Sequence, residues 1–245
     1  LNKYLIFLLF VPMPWGSDRK ESEIPSMNIS YAGADFNVIK NGESSIRYIW
    51  LHGDEKTAQM ALSHHIKNYP GIAYFIQSEA REIPYKSTLI DPNRIFSRNG
   101  SYHALKKFKP EWAPGSIKAS LDELDRERTQ FFKELLPDGD GILIAVHNNF
   151  RGYNLHSETH NNVKTSIKTK QNPRDFIICT FEGDFEKLSK GPYNVLLQNK
   201  MPERDDGSLS WAALKYNVRY INIETRLGYL TKQKKMLTFI ANTLQ

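Results

Sequence analysis

The sequence predicts an α/β fold, a sheet with helices on its faces. Short β-branched or aromatic runs alternate with helix-like stretches along a chain of 245 residues. At 40% hydrophobic and 24% charged the chain can bury a full core. From about Asn28 onward no repeat, low-complexity linker or Pro/Gly/Ser-rich hinge interrupts the pattern, which predicts one domain over residues 28–245. In order, the expected strands are "IRYIWL" (46–51), "GIAYFI" (71–76), "STLI" (87–90), "GILIAV" (141–146), "DFIICT" (175–180), "YNVLLQ" (193–198) and "VRYINI" (218–223). Expected helices cover 55–67, 120–136, 185–189, 208–215 and 230–244. In the second of these, Leu121, Leu124, Phe131, Phe132 and Leu135 recur between the acids and bases of "DELDRERTQ", the stripe of a scaffold helix.

The formal charge of +6, from 33 basic and 27 acidic residues, is a modest excess that mildly favours anionic partners. No long basic run is interleaved with aromatics, which argues against nucleic acid. The single cysteine, Cys179, sits in the apolar "DFIICTF" as a structural thiol would, and it excludes an intrachain disulfide. At the start, "LNKYLIFLLFVPMPWGSDRKE" sets Lys3 before an apolar core from Tyr4 to Val11 and then Pro, Gly and Ser. That is the build of a secretory signal peptide over residues 1–17, too short for a stable membrane span, with an apolar strand or a cloning remnant as the alternative. A secreted or periplasmic location is the resulting expectation.

Ligands of open α/β sheets bind beyond the carboxyl ends of the strands. Polar clusters follow three expected strands: "HGDE" the first, "DPNR" the third and "HNN" the fourth. Glu224 stands at the end of the last. His52 and Glu55 have H-x-x-E spacing at a strand-to-helix turn. Hydrolytic zinc commonly takes three protein ligands, two His and one Glu among the sets used. His147, carried out of "GILIAVH", is the third candidate. Asp54 reads as a turn or helix N-terminal residue favoured by the helix dipole. H-x-x-E alone occurs in many unrelated chains and needs a companion.

"DPNRIF", residues 91–96, is that companion. With "HGDE", "VHNN" and "NIETRLG" it makes an ordered set: H-x-x-E, D-x-N-R, a distant His and a late Glu. The sequence thereby resembles the zinc carboxypeptidases of the carboxypeptidase A type and the related aspartoacylase and succinylglutamate desuccinylase branch, over roughly residues 48–229. The resemblance implies a three-layer α/β/α fold with a central mixed sheet and Zn²⁺ held by His52, Glu55 and His147. Asp91 would accept the second ring N–H of the first histidine. Glu224 would take a proton from water and pass it to the leaving amine. Arg94, with Asn93 beside it, would grip a substrate carboxylate. For the oxyanion, the aspartoacylase-like branch uses an Arg five residues before the motif's aspartate. That offset falls here on Lys86, which lacks the guanidinium fork, and Arg81 is the competing candidate, nearer the carboxypeptidase spacing.

The stretch "RGYNLHSETHNN" does not align with the substrate-binding tyrosine region of the digestive carboxypeptidases, and its polar composition permits a lid. Tyr153 and Tyr229 are candidates to approach the site, with packing as the alternative. His156 and His160 would form a second metal site only if helical, and their polar flanks favour a loop. His64 and His65 are expected on the first helix, facing solvent. The expected activity is a zinc metallohydrolase that cuts an amide bond near a free carboxylate, foremost a metallocarboxypeptidase acting on peptides or cell-wall stem peptides. An N-acyl amino acid deacylase is the alternative, and an inactive relative that binds peptides or glycans is a third reading.

Overall fold

The computed structural model describes residues 26–149, 152–159 and 164–244. The expected signal peptide lies outside them. The described strands are β1 (Ser26–Tyr31), β2 (Ala34–Asn41), β3 (Arg47–Trp50), β4 (Gly71–Ile76), β5 (Ile83–Tyr85), β6 (Thr88–Ile90), β7 (Leu143–Asn149), β8 (Lys164–Ser166), β9 (Phe176–Cys179), β10 (Asn194–Leu197) and β11 (Tyr220–Arg226). The helices are α1 (Lys56–Asn68), α2 (Arg98–Phe108), α3 (Pro114–Leu135), α4 (Glu182–Leu188), α5 (Leu209–Lys215) and α6 (Leu230–Leu244), with short 3₁₀ turns at Pro92–Arg94 and Leu155–Ser157.

Nine strands form one mixed sheet in the order β1-β2-β4-β3-β7-β11-β9-β10-β8. Its centre, β4, β3, β7 and β11, is parallel. β11 then pairs antiparallel with β9, and β9 parallel with β10. Strand alternation sends side chains into two helical layers. On one face Tyr48 of β3 meets His65 of α1, and α6 packs on α1 and α4. On the other, Tyr74 of β4 meets Phe131 of α3, and Tyr216 after α5 meets Phe132. This is the expected three-layer α/β/α arrangement around a mixed sheet. The central strands are covered on both faces, which is why they read as unbroken apolar runs.

Several elements differ from expectation, each for a physical reason. The β1-β2 hairpin precedes the first expected strand. Its two-residue turn, Ala32 and Gly33, has positive φ at both positions, but Ala stands where Asn or Asp would announce such a turn. The expected third strand, β6, pairs with β5 in a separate hairpin rather than joining the central sheet. Helix α2 was not expected because Gly100 interrupts its pattern. A Cβ there would strike the Cα of Gly207, so close backbone approach requires the glycine. Helix α3 starts at Pro114, ahead of the expected residue 120, with the proline in the first turn where its missing N–H costs no helical bond. Strands β7 and β11 run on to Asn149 and Arg226, so His147 and Glu224 lie within strands and not beyond them.

His64 is exposed as expected, but His65 is buried, its ring stacked on Tyr69 and its Nε2 3.1 Å from the Tyr48 hydroxyl. Burial, with repulsion from His64 added, pushes its imidazole from 6.5 down to about 4. Between those values the unfolded chain binds a proton that the folded chain refuses. Stability is therefore full above pH 6.5 and falls as pH drops toward 4, by at most about 1.4 kcal/mol per pH unit. Urea unfolding at pH 7 and pH 5 should show a smaller loss for His65→Gln than for the parent. An equal loss would place the acid sensitivity elsewhere.

Candidate metal centre

The turn from β3 to α1 carries His52 and Glu55. A short acceptor such as Asp or Ser would cap a helix at this position, but Glu55 makes no side-chain cap bond. Asn148, reaching across from β7, accepts the Ala58 N–H at 2.7 Å instead, which leaves the Glu55 carboxylate free to turn inward. Its Oε1 lies 2.8 Å from His52 Nδ1 and accepts from Arg81 at 3.0 Å. Its Oε2 lies 3.0 Å from His147 Nδ1 and accepts the Asn148 N–H at 3.0 Å. Behind His52, Asp91 Oδ1 sits 2.8 Å from Nε2, the position expected of it, and also accepts the Asn93 N–H.

This arrangement favours positive charge. Burial opposes protonation of His52, but the Glu55 and Asp91 carboxylates on its two nitrogens outweigh it and push its pKa up to about 9. Burial likewise opposes ionisation of Glu55, yet His147 and His52 hold it well below the usual carboxylate range.

The sheet places the next pair. His147 of β7 and Glu224 of β11 are register partners on adjacent parallel strands, so their side chains leave the same face. Glu224 accepts from Asn149 Nδ2 at 3.3 Å and lies 3.4 Å from Asn222 Nδ2. Burial pushes its carboxyl pKa up; His147 pulls it down and the Glu55 charge raises it further. Arg174 fixes Asn149 by donating to its side-chain oxygen and to its carbonyl, at 3.1 and 2.9 Å. Asn148, Asn149, Asn222 and Arg174 were not singled out as site residues. For the three asparagines the available signal was their place within otherwise apolar buried strands; Arg174, in the turn before β9, gave none.

His52, Glu55, Arg81, Arg94, His147 and Glu224 all line one cavity of about 1100 Å³. Asn93 lines it too, its Oδ1 accepting the Leu209 N–H at the start of α5. Arg94 is partly exposed and pairs with Asp206 at 3.5 Å. Lys86 is not brought here. It sits in the β5-β6 turn with positive φ, and its ammonium donates to Glu123 and Ser120 of α3 at 2.7 and 3.3 Å. Arg81 is the candidate cation that reaches the site. Tyr153 lines the cavity and donates to Glu158, while the exposed Tyr229 ring lies under the Arg226 guanidinium, away from the lining. His156 is exposed on its 3₁₀ turn, and its expected companion His160 lies outside the described residues. Cys179 is buried and free.

The residues fit a divalent cation. Ligand atoms of His52, Glu55 and His147 lie within 4.8 Å of one another, and all three side chains are buried. Among the described residues no other such group occurs. The Nε2 of His147 is buried without a hydrogen-bond partner among the described residues, so the ring's polar contact is made by the nitrogen that faces Glu55.

No protein-family model matches the chain, and no curated protein matches it. Among solved structures it is similar to murein-tripeptide amidase MpaA from Escherichia coli O157, at 15% identity over 90% of this chain and 92% of that one, with a TM-score of 0.47. It is also similar to the ectoine utilization protein EutE from Ruegeria pomeroyi, at 14% identity over 86% of this chain, with a TM-score of 0.43. A third is succinylglutamate desuccinylase/aspartoacylase from Rhodobacter sphaeroides, at 12% identity over 89% of this chain, again with a TM-score of 0.43. The chain spans 62% and 63% of the length of these last two. The chemistry of the cavity follows from its own atoms.

Elemental analysis should find about one divalent ion per parent chain and little in His147→Ala. Asp91→Asn should retain the site but weaken it on the order of 10–100-fold in a chelator competition. Equal metal content in the parent and His147→Ala would remove His147 from the ligand set.

Proposed function

We propose that the protein is a zinc-dependent hydrolase that cleaves an amide bond beside a free carboxylate, as a carboxypeptidase acting on peptides. The observation that supports this is the meeting, in one cavity, of a buried two-histidine, one-carboxylate cluster with Glu224 and Arg94. His52, Glu55 and His147 would hold the ion, and zinc when bound supplies Lewis acidity for activating water and polarising a carbonyl.

The remaining steps belong to the chain. Arg94 binds the substrate's free carboxylate through its planar fork of donors, which sets the scissile bond at a fixed distance from the acid. Glu224 takes the proton of the attacking water and delivers it to the leaving amine. Burial raises its pKa, which makes the ionised carboxylate a stronger base. Asn149 orients that carboxylate. Arg81 supplies positive charge for the oxyanion as the carbonyl becomes tetrahedral, released in part from its pairing with Glu55.

The N-acyl amino acid deacylase is the second reading, and the further cations on the cavity wall, Lys200 and Arg204, favour it by offering sites for a second substrate carboxylate. The Lys86 offset lends it no support, since that ammonium is held by Glu123. Export to the periplasm or beyond is proposed from the N-terminal segment alone and is checked by the mature N-terminus of protein recovered after expression with the full segment.

A peptide panel tests the activity. Peptides with free C-termini should be cut and their C-terminal amides resisted, and Arg94→Ala should erase most of that difference by raising KM. N-succinyl and N-acetyl amino acids in the same panel report the deacylase reading. Glu224→Gln should retain the metal while kcat falls on the order of 10²–10⁴-fold. Full turnover by that variant would mean that another group is the base.

A further inference from the structure

The positive charge of the chain is unevenly placed. Residues 1–150 hold 18 basic and 18 acidic side chains, so the whole formal excess of +6 comes from residues 151–245, with 15 basic and 9 acidic. The fold gathers part of it at one edge of the sheet. Beyond the edge strand β8, the Gln171 N–H donates to the Lys168 carbonyl at 2.9 Å and closes a turn in which Lys170 is exposed. The Lys168 ammonium reaches the Ser189 carbonyl just after α4 at 2.7 Å, beside the exposed Lys190. From α6, Lys232 donates to Gln171 Oε1 at 2.7 Å and lies over the Tyr193 ring, with the exposed Lys235 one turn further along the helix.

Lys168 and Lys232 are held by neutral oxygens, which fix the ammonium groups and leave their charge intact. Among the described residues none of the five lysines pairs with a carboxylate. The acids of this region are engaged with other cations: Glu182 with Lys164, Asp184 with Arg219 and Asp175 with Arg226, while the charge of Glu186 acts on Lys164. Like charges gathered on one surface repel, and a partner that brings negative charge relieves the repulsion. Ile167, next to Lys168, is 51% exposed. A soluble polyanion would leave that aliphatic side chain in water. An anionic bilayer accommodates both features, since its headgroups meet the lysines and its interface takes up the isoleucine. None of these six residues lines the cavity, so the surface is separate from the candidate metal centre.

We propose that this edge is a peripheral docking surface for an anionic lipid bilayer, with Lys168, Lys170, Lys190, Lys232 and Lys235 on the headgroups and Ile167 in the interface.

The test is vesicle co-sedimentation of the full chain, with vesicles of phosphatidylcholine alone and of phosphatidylcholine mixed with phosphatidylglycerol. The parent should bind the mixed vesicles, ignore the neutral ones and lose binding as salt is raised. One variant combines Lys170→Gln, Lys190→Gln and Lys235→Gln, three lysines whose side chains make no bond within the described structure, so the fold is left undisturbed. A lysine at such a surface contributes roughly a fivefold gain in partitioning, and the triple variant should bind on the order of 100-fold more weakly. A matched control, Lys106→Gln with Lys107→Gln and Lys109→Gln, removes the same charge elsewhere and should bind as the parent does. The apolar N-terminal segment is present in every protein compared, so the differences read the lysines alone. Ile167→Ser should weaken binding to vesicles severalfold and leave binding to heparin, a soluble polyanion, unchanged. No binding to the mixed vesicles by the parent, or equal losses in the two triple variants, would overturn the proposal. Vesicle binding that falls with the lysines but ignores Ile167→Ser would also overturn it and reassign the edge to a soluble polyanion.

Discussion

The buried carboxylate of Glu55 is the constraint on which the site depends. A carboxylate out of water needs its lone pairs occupied, and this one has two hydrogen-bonding contacts on each oxygen: His52 and Arg81 on Oε1, His147 and the Asn148 N–H on Oε2. These partners come from the turn before α1, from β7 and from the segment between β4 and β5. Satisfying one anion therefore draws three parts of the chain together and points two imidazoles at a common centre. Removing a partner from such a cluster leaves charge uncompensated in a dry place, which costs more than the lost contact alone.

The sheet supplies the second constraint. Parallel pairing of β7 with β11 puts His147 and Glu224 in register, so the spacing between a candidate metal ligand and the candidate general base is set by backbone hydrogen bonds. Arg226 ties the end of β11 to the start of β9 by donating from its backbone and its guanidinium to the buried Asp175. Arg174, next to Asp175 in sequence, holds Asn149 against Glu224. His147 and Glu224 thus stand on strands of the sheet, while Tyr153, Arg94 and the residues around 200–206 rim the cavity from turns and loops.

Much of this was legible in the sequence. Apolar runs bounded by turn residues marked β3, β4, β7, β9, β10 and β11, because strands covered on both faces tolerate little else. The candidate ligands His52, Glu55 and His147 stood out because histidines and acids at the margins of such runs are expensive unless they have partners, and Asp91 stood out through the motif it shares with the resembled family. The β1-β2 hairpin and α2 stayed hidden where an alanine with positive φ and a helical glycine contradict local propensity. Lys86 was misplaced because a motif offset counts residues and takes no account of the β5-β6 turn that directs its side chain to α3.

By itself the sequence indicated the α/β class and the three candidate ligands, through residue type and local spacing, while the layered arrangement and the acid behind the first histidine were what the resemblance implied. Tertiary structure decided that Arg81 rather than Lys86 reaches the cavity, and that Asn148 rather than Glu55 caps α1. Those outcomes depend on contacts between residues tens of positions apart, and such contacts exist only once the sheet has set its register.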